Sequence, residues 1–331
     1  MSTSEKIPPI AFVAAITGCI LWGSALSIVK IALEEYDPVF LVFARMAVSA
    51  LVLTPIVFFR FRPIRIYSKR DFLLLVLLTL CDPVGFFTFE ALALQYTSAS
   101  QASMMWAMAP LLNTMAALLI LRERTSRPVI ICFIVAMIGV MVLTAGGGVS
   151  EHASNPVLGN FLEFMSLCGA AGFLVILRFL RGRYPAMLVV WFQSLGAAVL
   201  FLPALALDSV ALPTAFHFGP FLSLIYLGAC VTFGAQACSA FAVARMPVGR
   251  LSAISNMIPV VGVLTGMLLL GETMSPIQWA ASVLVLGVVL ISQHYQKKDS
   301  DGEGGDRKEN IVDEAIRKEE EGKPLLSKVD A

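Results

Sequence analysis

The sequence predicts an all-α integral membrane protein in which ten transmembrane helices form two inverted repeats of five helices. Three observations support this fold class: the composition, a series of long apolar runs, and an internal repeat of about half the chain. Of the 331 residues, 58% are hydrophobic and 14% are charged, whereas soluble proteins have roughly 25% charged residues. The composition therefore excludes a soluble fold.

The apolar runs predict the number of helices. A helix needs roughly 20 apolar residues to cross about 30 Å of hydrocarbon. The sequence contains ten such runs, at residues 10–33, 38–59, 72–94, 98–121, 128–145, 157–177, 186–207, 220–243, 248–270 and 276–293. The two shortest runs count as separate helices because Pro128 and Pro276 precede them. The first run is too long for the core of a signal peptide, so we interpret it as a retained helix.

The connecting loops predict the orientation, because cytoplasmic loops collect Lys and Arg whereas translocated loops do not. Every second loop is basic, and these loops carry Arg60, Arg62, Arg65, Lys69, Arg70, Arg122, Arg124, Arg127, Arg178, Arg181, Arg183, Arg245 and Arg250. The alternate loops contain neither Lys nor Arg. Both termini are therefore expected to face the cytoplasm, in a plasma membrane or a bacterial inner membrane.

An internal repeat appears when the chain is compared with itself at an offset of 149 residues. This register aligns Gly85 with Gly234, Ser103 with Ser252, Pro110 with Pro259, Glu123 with Glu272 and Ser126 with Ser275. At an offset of 148, Lys30 aligns with Arg178. The repeat unit has an odd number of helices, so the second copy enters the membrane from the opposite side. Inverted repeats are typical of transporters, because two similar halves can exchange conformations around a site between them.

The predicted organisation follows from the runs and the repeat. It comprises a cytoplasmic N-terminus (1–9), a first five-helix repeat (10–145), an external loop (146–156), a second five-helix repeat (157–293) and a cytoplasmic tail (294–331). The tail is rich in Lys, Glu, Asp and Gly, so we expect it to be disordered. Its segment 321–326 is similar to an acidic di-leucine sorting signal, which leaves an endosomal or vacuolar membrane as the alternative location.

Ionisable side chains at membrane depth are candidates for a transport site, because inserting one costs at least about 2.5 kcal/mol. Asp82 lies near the middle of the third run and precedes Pro83, so we expect a local break in the helix beside a carboxylate. Asp82 is predicted to bind a substrate amine or to carry a proton, and a structural aspartate is the alternative. Glu90 could line the same cavity, and Glu163 is expected at a similar depth. For both residues the alternative is that the side chain snorkels to the outer headgroups.

Other polar and aromatic residues near mid-depth complete the candidate set. The further candidates for substrate binding are Trp22, Trp106, Asn113, Gln236 and Asn256. Packing, or hydrogen bonds between helices, would equally explain these residues. Pro110 and Pro259 are candidate gating kinks, and Arg45 is expected to form a structural ion pair. Lys30 is expected to snorkel, and Glu123 and Glu272 to cap helices or to form ion pairs.

Several classes of function are not supported by the sequence. The six cysteines lie within apolar runs, so they predict neither disulfides nor a metal site, and no cofactor is expected. The histidines, His152, His217 and His294, lie in loops or at helix ends without a catalytic arrangement, so we expect no enzyme. No basic stripe indicates nucleic-acid binding. The expected partners are a small-molecule substrate and membrane lipids, with the proton as a candidate coupling ion.

A set of short motifs occurs in order along the chain. The motifs are Trp22-Gly23-Ser24 with Lys30, Pro38 with Arg45, the stretch 91–100, Pro110, Leu121-Arg122-Glu123-Arg124, Ser252, Pro259 and Leu270-Gly271-Glu272. Together they resemble the drug/metabolite transporter superfamily, and specifically the ten-helix EamA-type family, over residues 10–293.

The resemblance implies a secondary transporter of small metabolites such as amino acids, often an exporter, that works by alternating access. It also implies a central cavity formed by helices 1, 3, 4, 6, 8 and 9. Three alternatives stay open at this point: an organellar nucleotide-sugar or metabolite exchanger, a lipid-carrier flippase, and a membrane receptor or scaffold that transports nothing.

Overall fold

The computed structural model describes residues 8–60, 66, 68–123, 125–180, 182–208 and 210–296, which contain helices and no β-strand. The helices are α1 (Pro9–Leu33), α2 (Pro38–Arg60), α3 (Lys69–Tyr96), α4a (Ala99–Trp106), α4b (Ala109–Leu121), α5 (Arg127–Ala145), α6 (Pro156–Phe179), α7 (Ala186–Ala206), α8 (Phe218–Val243), α9a (Val248–Ser255), α9b (Ile258–Leu270) and α10 (Pro276–Gln296). Most of the predicted disordered tail, including its sorting-like segment, lies outside the described residues.

The described residues contain nine helical spans that are long and apolar enough to cross a bilayer. Helices α4a and α4b, a pair bent by 45°, bring the number to ten when they are counted as one span. The predicted all-α membrane fold is therefore confirmed.

Proline begins the second half of both broken helices. Pro110 and Pro259 each lie at the first or second position of a half-helix, α4b and α9b respectively. Proline is tolerated there because its fixed φ suits the first helical turn and its missing N–H has no partner to lose. The prolines therefore start new half-helices after a short break.

Wide helical turns interrupt α3 and α8 at matching places in the two repeats. Residues 80–85 of α3 and 226–235 of α8 are π-helical, and α3 is broken at Asp82, whose φ of −146° and ψ of 120° are extended. The break expected beside Pro83 is thus present. Such turns often occur at functional sites, because they displace side chains and free backbone groups.

The helix contacts come in pairs related by the inverted repeat. Helix α1 packs against α8 and α9b, and its counterpart α6 packs against α3 and α4b. Helix α2 packs against its own counterpart α7, and α4a packs against α9b. The two five-helix units therefore interlock face to face, so a site at the centre of the bundle is built from both repeats.

The two ends of the bundle differ in charge. The arginine-rich end holds the last residues of α2, α4b, α6 and α8 and the first residues of α3, α5, α7 and α9a. The opposite end holds the last residues of α1, α3, α5, α7 and α9b and the first residues of α2, α4a, α6, α8 and α10. At the arginine-rich end, Ser68 caps α3 by accepting a hydrogen bond from the backbone N–H of Asp71. The buried Asp71 carboxylate lies 3.1 Å from Arg183 Nη1 and accepts a hydrogen bond from Tyr184 Oη at 3.0 Å. This contact ties the start of α3 to the loop between α6 and α7.

We expect Asp71→Ala to lower the free energy of unfolding by about 1–3 kcal/mol, because it removes buried hydrogen bonds to a charged group. The measurement is thermal or denaturant unfolding of the purified protein in detergent. Asp208→Ala, which removes an exposed carboxylate, is the matched control. Equal stability of the Asp71 variant and the control would contradict a tying role for Asp71.

Candidate functional site

A central cavity of about 240 Å³ lies where the two repeats meet. Helices α1, α2, α3, α4a, α6, α7 and α8 contribute to its walls. Of the residues singled out in the sequence, it brings together Trp22, Arg45, Asp82, Pro83, Trp106 and Gln236. Six predicted residues from five different helices thus surround one space.

The walls of the central cavity are aromatic with a few polar groups. The aromatic residues are Trp22, Phe86, Phe87, Trp106 and Phe173, and the uncharged polar residues are Gln193, Ser194, Thr232 and Gln236. Small-molecule sites commonly have this make-up, in which apolar walls provide contact area and a few polar groups fix orientation. The cavity therefore suits a compact, partly apolar ligand that carries a polar or charged group.

Arg45 is the cation among the residues that line this cavity, and it contacts three neighbouring side chains. Its Nη1 lies 3.4 Å from Glu90 Oε2, and its Nε donates a hydrogen bond to Thr232 Oγ1 at 3.0 Å. Its guanidinium carbon lies 3.7 Å from the centre of the Phe87 ring, in cation–π geometry. Arg45 therefore joins α2 to α3 and α8.

Two buried carboxylates lie just outside the lining of the central cavity. Glu90 and Glu163 are 1% and 0% exposed, so the snorkelling considered for them is wrong. Trp106 Nε1 donates a hydrogen bond to Glu163 Oε1 at 2.7 Å. Within the described residues, Glu90 Oε1 and Glu163 Oε2 have no hydrogen-bond partner. Glu163 was not among the sequence candidates for binding, and its only signal was an acid inside an apolar run.

Asp82 lies half-buried on the cavity wall, at the break in α3. Its backbone carbonyl accepts a hydrogen bond from Gln193 Nε2 of α7, so the break is held by a side chain from the other repeat. Asp82 and Arg45 both line the central cavity. Arg45 is ion-paired with Glu90 and not with Asp82.

A second, larger cavity of about 660 Å³ lies nearer the arginine-rich end, between α4b, α9a and α10. It is lined by four further candidates, Asn113, Asn256, Pro110 and Pro259, whereas Glu90 lines neither cavity. Asn256 exchanges two hydrogen bonds of 2.9 Å with Gln293 of α10, which is the helix-joining alternative considered for it. Trp106 lines both cavities, so the indole stands between them.

The helices around the central cavity differ from the set implied by the family resemblance. Helices α2 and α7 line it through Arg45 and Gln193, whereas α9 lines the second cavity instead. The reason is that α9b packs tightly against α1 and α4a near mid-depth: a Cβ added at Gly23 would lie 2.6 Å from Val261 Cβ. Across the described residues, no group of three His, Cys, Asp or Glu side chains could hold a metal ion.

Known proteins with similar sequences are named as transporters, an efflux pump and an exporter. A model of the EamA-like transporter family matches residues 9–145 and 158–293. The uncharacterized transporter YcxC of Bacillus subtilis is 25% identical over 296 residues, which cover 87% of this chain and 94% of that protein. A probable amino-acid metabolite efflux pump of Salmonella typhimurium is 27% identical over 285 residues, covering 82% of this chain and 91% of the pump.

Two further comparisons agree with this family. A probable terminal-alkyne amino-acid exporter of Streptantibioticus cattleyicolor is 24% identical over 288 residues, covering 85% of this chain and 92% of the exporter. A solved crystal structure that is 18% identical matches with a TM-score of 0.58 over 86% of this chain and 98% of its own, which shows a shared fold. The family comprises transporters and not enzymes. This multi-pass membrane protein therefore belongs to the EamA-like transporter family, as its motifs predict.

Proposed function

We propose that this transporter exports small amino-acid-like metabolites by alternating access, with the substrate held in the central cavity. The observation that carries the proposal is the position of Asp82, a carboxylate at a helix break on the wall of an aromatic cavity between inverted repeats. A broken helix at the interface of inverted repeats is a common substrate site in secondary transporters.

The size and chemistry of the central cavity favour a small zwitterion. Its volume of about 240 Å³ is below the roughly 300–1,000 Å³ of sites for drug-sized ligands. Asp82 offers a counter-charge for an ammonium group, and Gln236 and Ser194 offer hydrogen bonds. Arg45, the only cation among the lining residues, is already bonded to Glu90. That arrangement disfavours nucleotide substrates, whose phosphates need free cations.

The proposed direction, export, rests on the predicted orientation. The basic loops favour a cytoplasmic arginine-rich end, and the larger cavity lies toward that end. A substrate from the cytoplasm would reach the central cavity past Trp106. The amino-acid metabolite efflux pump and the amino-acid exporter among the relatives support this direction and this substrate class.

Proton coupling through Asp82 is a separate part of the proposal. Asp82 lines the same cavity as Arg45, whose ion-pair partner is Glu90. A substrate ammonium and a proton would both neutralise Asp82, so binding of one would release the other. Exchange of this kind links export to proton entry.

We expect Asp82→Asn to reduce counterflow at least about tenfold, because it removes a charged hydrogen-bond acceptor from the site. The assay uses proteoliposomes loaded with pools of unlabelled amino acids, with labelled tracers outside. Accumulation above that of empty vesicles identifies both carrier activity and the substrate class.

Asp208→Asn is the matched control for this assay, because Asp208 is an exposed carboxylate at the opposite end. It should leave counterflow unchanged. Full activity of Asp82→Asn would show that no ionised carboxylate is needed at this position, and counterflow that fails with every pool would refute the proposed substrate class.

We infer that Arg45 is a structural residue, and we expect Arg45→Gln to lower the free energy of unfolding by about 3–5 kcal/mol, because it leaves the buried Glu90 without its cation. The double variant Arg45→Gln/Glu90→Gln should recover most of this loss. Unfolding in detergent measures both, with Arg245→Gln, at an exposed arginine, as the control. A double variant no more stable than Arg45→Gln would argue against the pair.

A further inference from the structure

Glu272 fastens the start of α4a at the opposite end of the bundle. Its carboxylate accepts hydrogen bonds from the backbone N–H groups of Ala99 and Ser100, both at 2.8 Å, and from Ser100 Oγ at 2.6 Å. The first N–H groups of a helix have no partner within the helix, and their positive end attracts a carboxylate. The Glu272 side chain is 1% exposed, so this contact closes the turn after α9b onto α4a.

Lys30 completes this closure and does not snorkel to headgroups. Its Nζ lies 3.7 Å from Glu272 Oε1, and it donates hydrogen bonds to the carbonyls of Thr97, at 2.7 Å, and His152. One ammonium thus joins α1, the turn before α4a, the loop before α6 and the turn after α9b. We call Glu272, Lys30 and the first residues of α4a the opposite-end latch.

Close helix packing supports the opposite-end latch. A Cβ added at Gly262 of α9b would lie 2.2 Å from Ser103 Oγ, and one added at Gly266 would lie 2.5 Å from Ser100 Oγ and 2.8 Å from Glu272 Oε2. The two half-helices α4a and α9b therefore touch so closely that not even a methyl group fits between them.

The repeat offset of 149 places Glu123 at the position of the arginine-rich end that matches Glu272, with the same local backbone. Arg122 and Gly271, which precede the two glutamates, both adopt the left-handed conformation, with φ of 56° and 67°. The N–H of each glutamate bonds the carbonyl six residues earlier at 3.3 Å. Glu123 also forms an ion pair with Arg178, the residue aligned with Lys30.

The two glutamates differ in what lies around them. The side chain of Glu123 is 48% exposed and that of Arg178 is 56% exposed, whereas Glu272 is buried. The half-helices α4b and α9a, which match α9b and α4a, have the larger cavity between them. The latch components are therefore present at both ends, and they are closed at one end only.

We propose that Glu123 is the latch of the arginine-rich end: when this end closes, its carboxylate binds the first N–H groups of α9a, at Val248 and Gly249, while Glu272 releases Ala99 and Ser100. Val248 and Gly249 align with Ala99 and Ser100 at the offset of 149. The inference rests on the proposed alternating access and specifies the contacts that exchange. Each carboxylate stabilises one of the two conformations, so the two latches act in opposite directions on one equilibrium.

The test measures the population of the conformation that is open at the opposite end. Ser103→Cys places a thiol between α4a and α9b, where residue 103 is 2% exposed. The full chain is held in lipid nanodiscs without substrate and treated with a charged maleimide. Peptide mass spectrometry then follows labelling of residue 103 itself, so the native cysteines can stay in place.

The two latch variants should change the labelling rate in opposite directions. In the Ser103→Cys background, we expect Glu272→Gln to raise the rate about tenfold, because it weakens three hydrogen bonds of the closed opposite end. Glu123→Gln should lower the rate at least about threefold, because it weakens the other conformation. The double variant should label close to the background rate. Glu151→Gln, at an exposed glutamate of the opposite end, should change nothing.

A second variant covers the case in which Glu272→Gln does not fold. Gly266→Ala keeps Glu272 and adds a methyl group where there is no space for one. Alanine suits the helix there, since Ala117 stands at the matching position. Gly266→Ala should also raise labelling of residue 103.

Rates that change in the same direction in Glu272→Gln and Glu123→Gln would overturn the proposal, and so would an unchanged rate in Glu123→Gln. Labelling needs no substrate, so its result is independent of the counterflow assay. Opposite shifts without any counterflow would uphold the latches and refute the proposed transport. Counterflow with shifts in the same direction would uphold transport and refute the latches.

Discussion

A polar group in hydrocarbon has no water to bond, so every charge and every interrupted helix in this bundle needs a partner within the protein. This constraint explains the arrangement around Arg45, whose guanidinium meets a carboxylate, a hydroxyl and an aromatic face. It also explains why the break in α3 is held by Gln193, and why the start of α4a is held by Glu272. The places where the helices are irregular are therefore the places where the two repeats bond each other.

The same constraint separates residues that hold the bundle from residues that are free to bind. Arg45, Glu90 and Asn256 form side-chain hydrogen bonds that join helices. Asp82 and Gln236 face the central cavity instead. The division follows the inverted symmetry only in part, because the two halves have diverged: Trp106, which separates the cavities, stands where the second repeat has Ser255. The helix bundle is thus pseudo-symmetric, whereas the side chains that line its central cavity are not.

The sequence predicted the arrangement of the helices better than the candidate site. Apolar run length, alternating basic loops and the repeat register were enough to predict ten helices in two inverted repeats, because these features depend on the bilayer and on chain order. Pro83 was enough to predict the break at Asp82. The sequence did not reveal that Glu163 reaches Trp106 or that α2 and α7 line the cavity, because position along one helix gives depth and face but not the neighbouring helix. Asn113 illustrates this limit: it lies near the predicted depth but in the second cavity.

The paired left-handed turns before Glu123 and Glu272 bear on how such proteins are recognised and redesigned. One copy uses Gly271 and the other uses Arg122, although an L-residue in this conformation costs roughly 1–2 kcal/mol more than glycine. The turn is therefore imposed by the surrounding backbone and not by its own residue. A search that identifies helix ends by a glycine would find the turn at Gly271 and miss the matching turn at Arg122. An engineer could accordingly change the side chain at either turn while the carboxylate that follows keeps its direction.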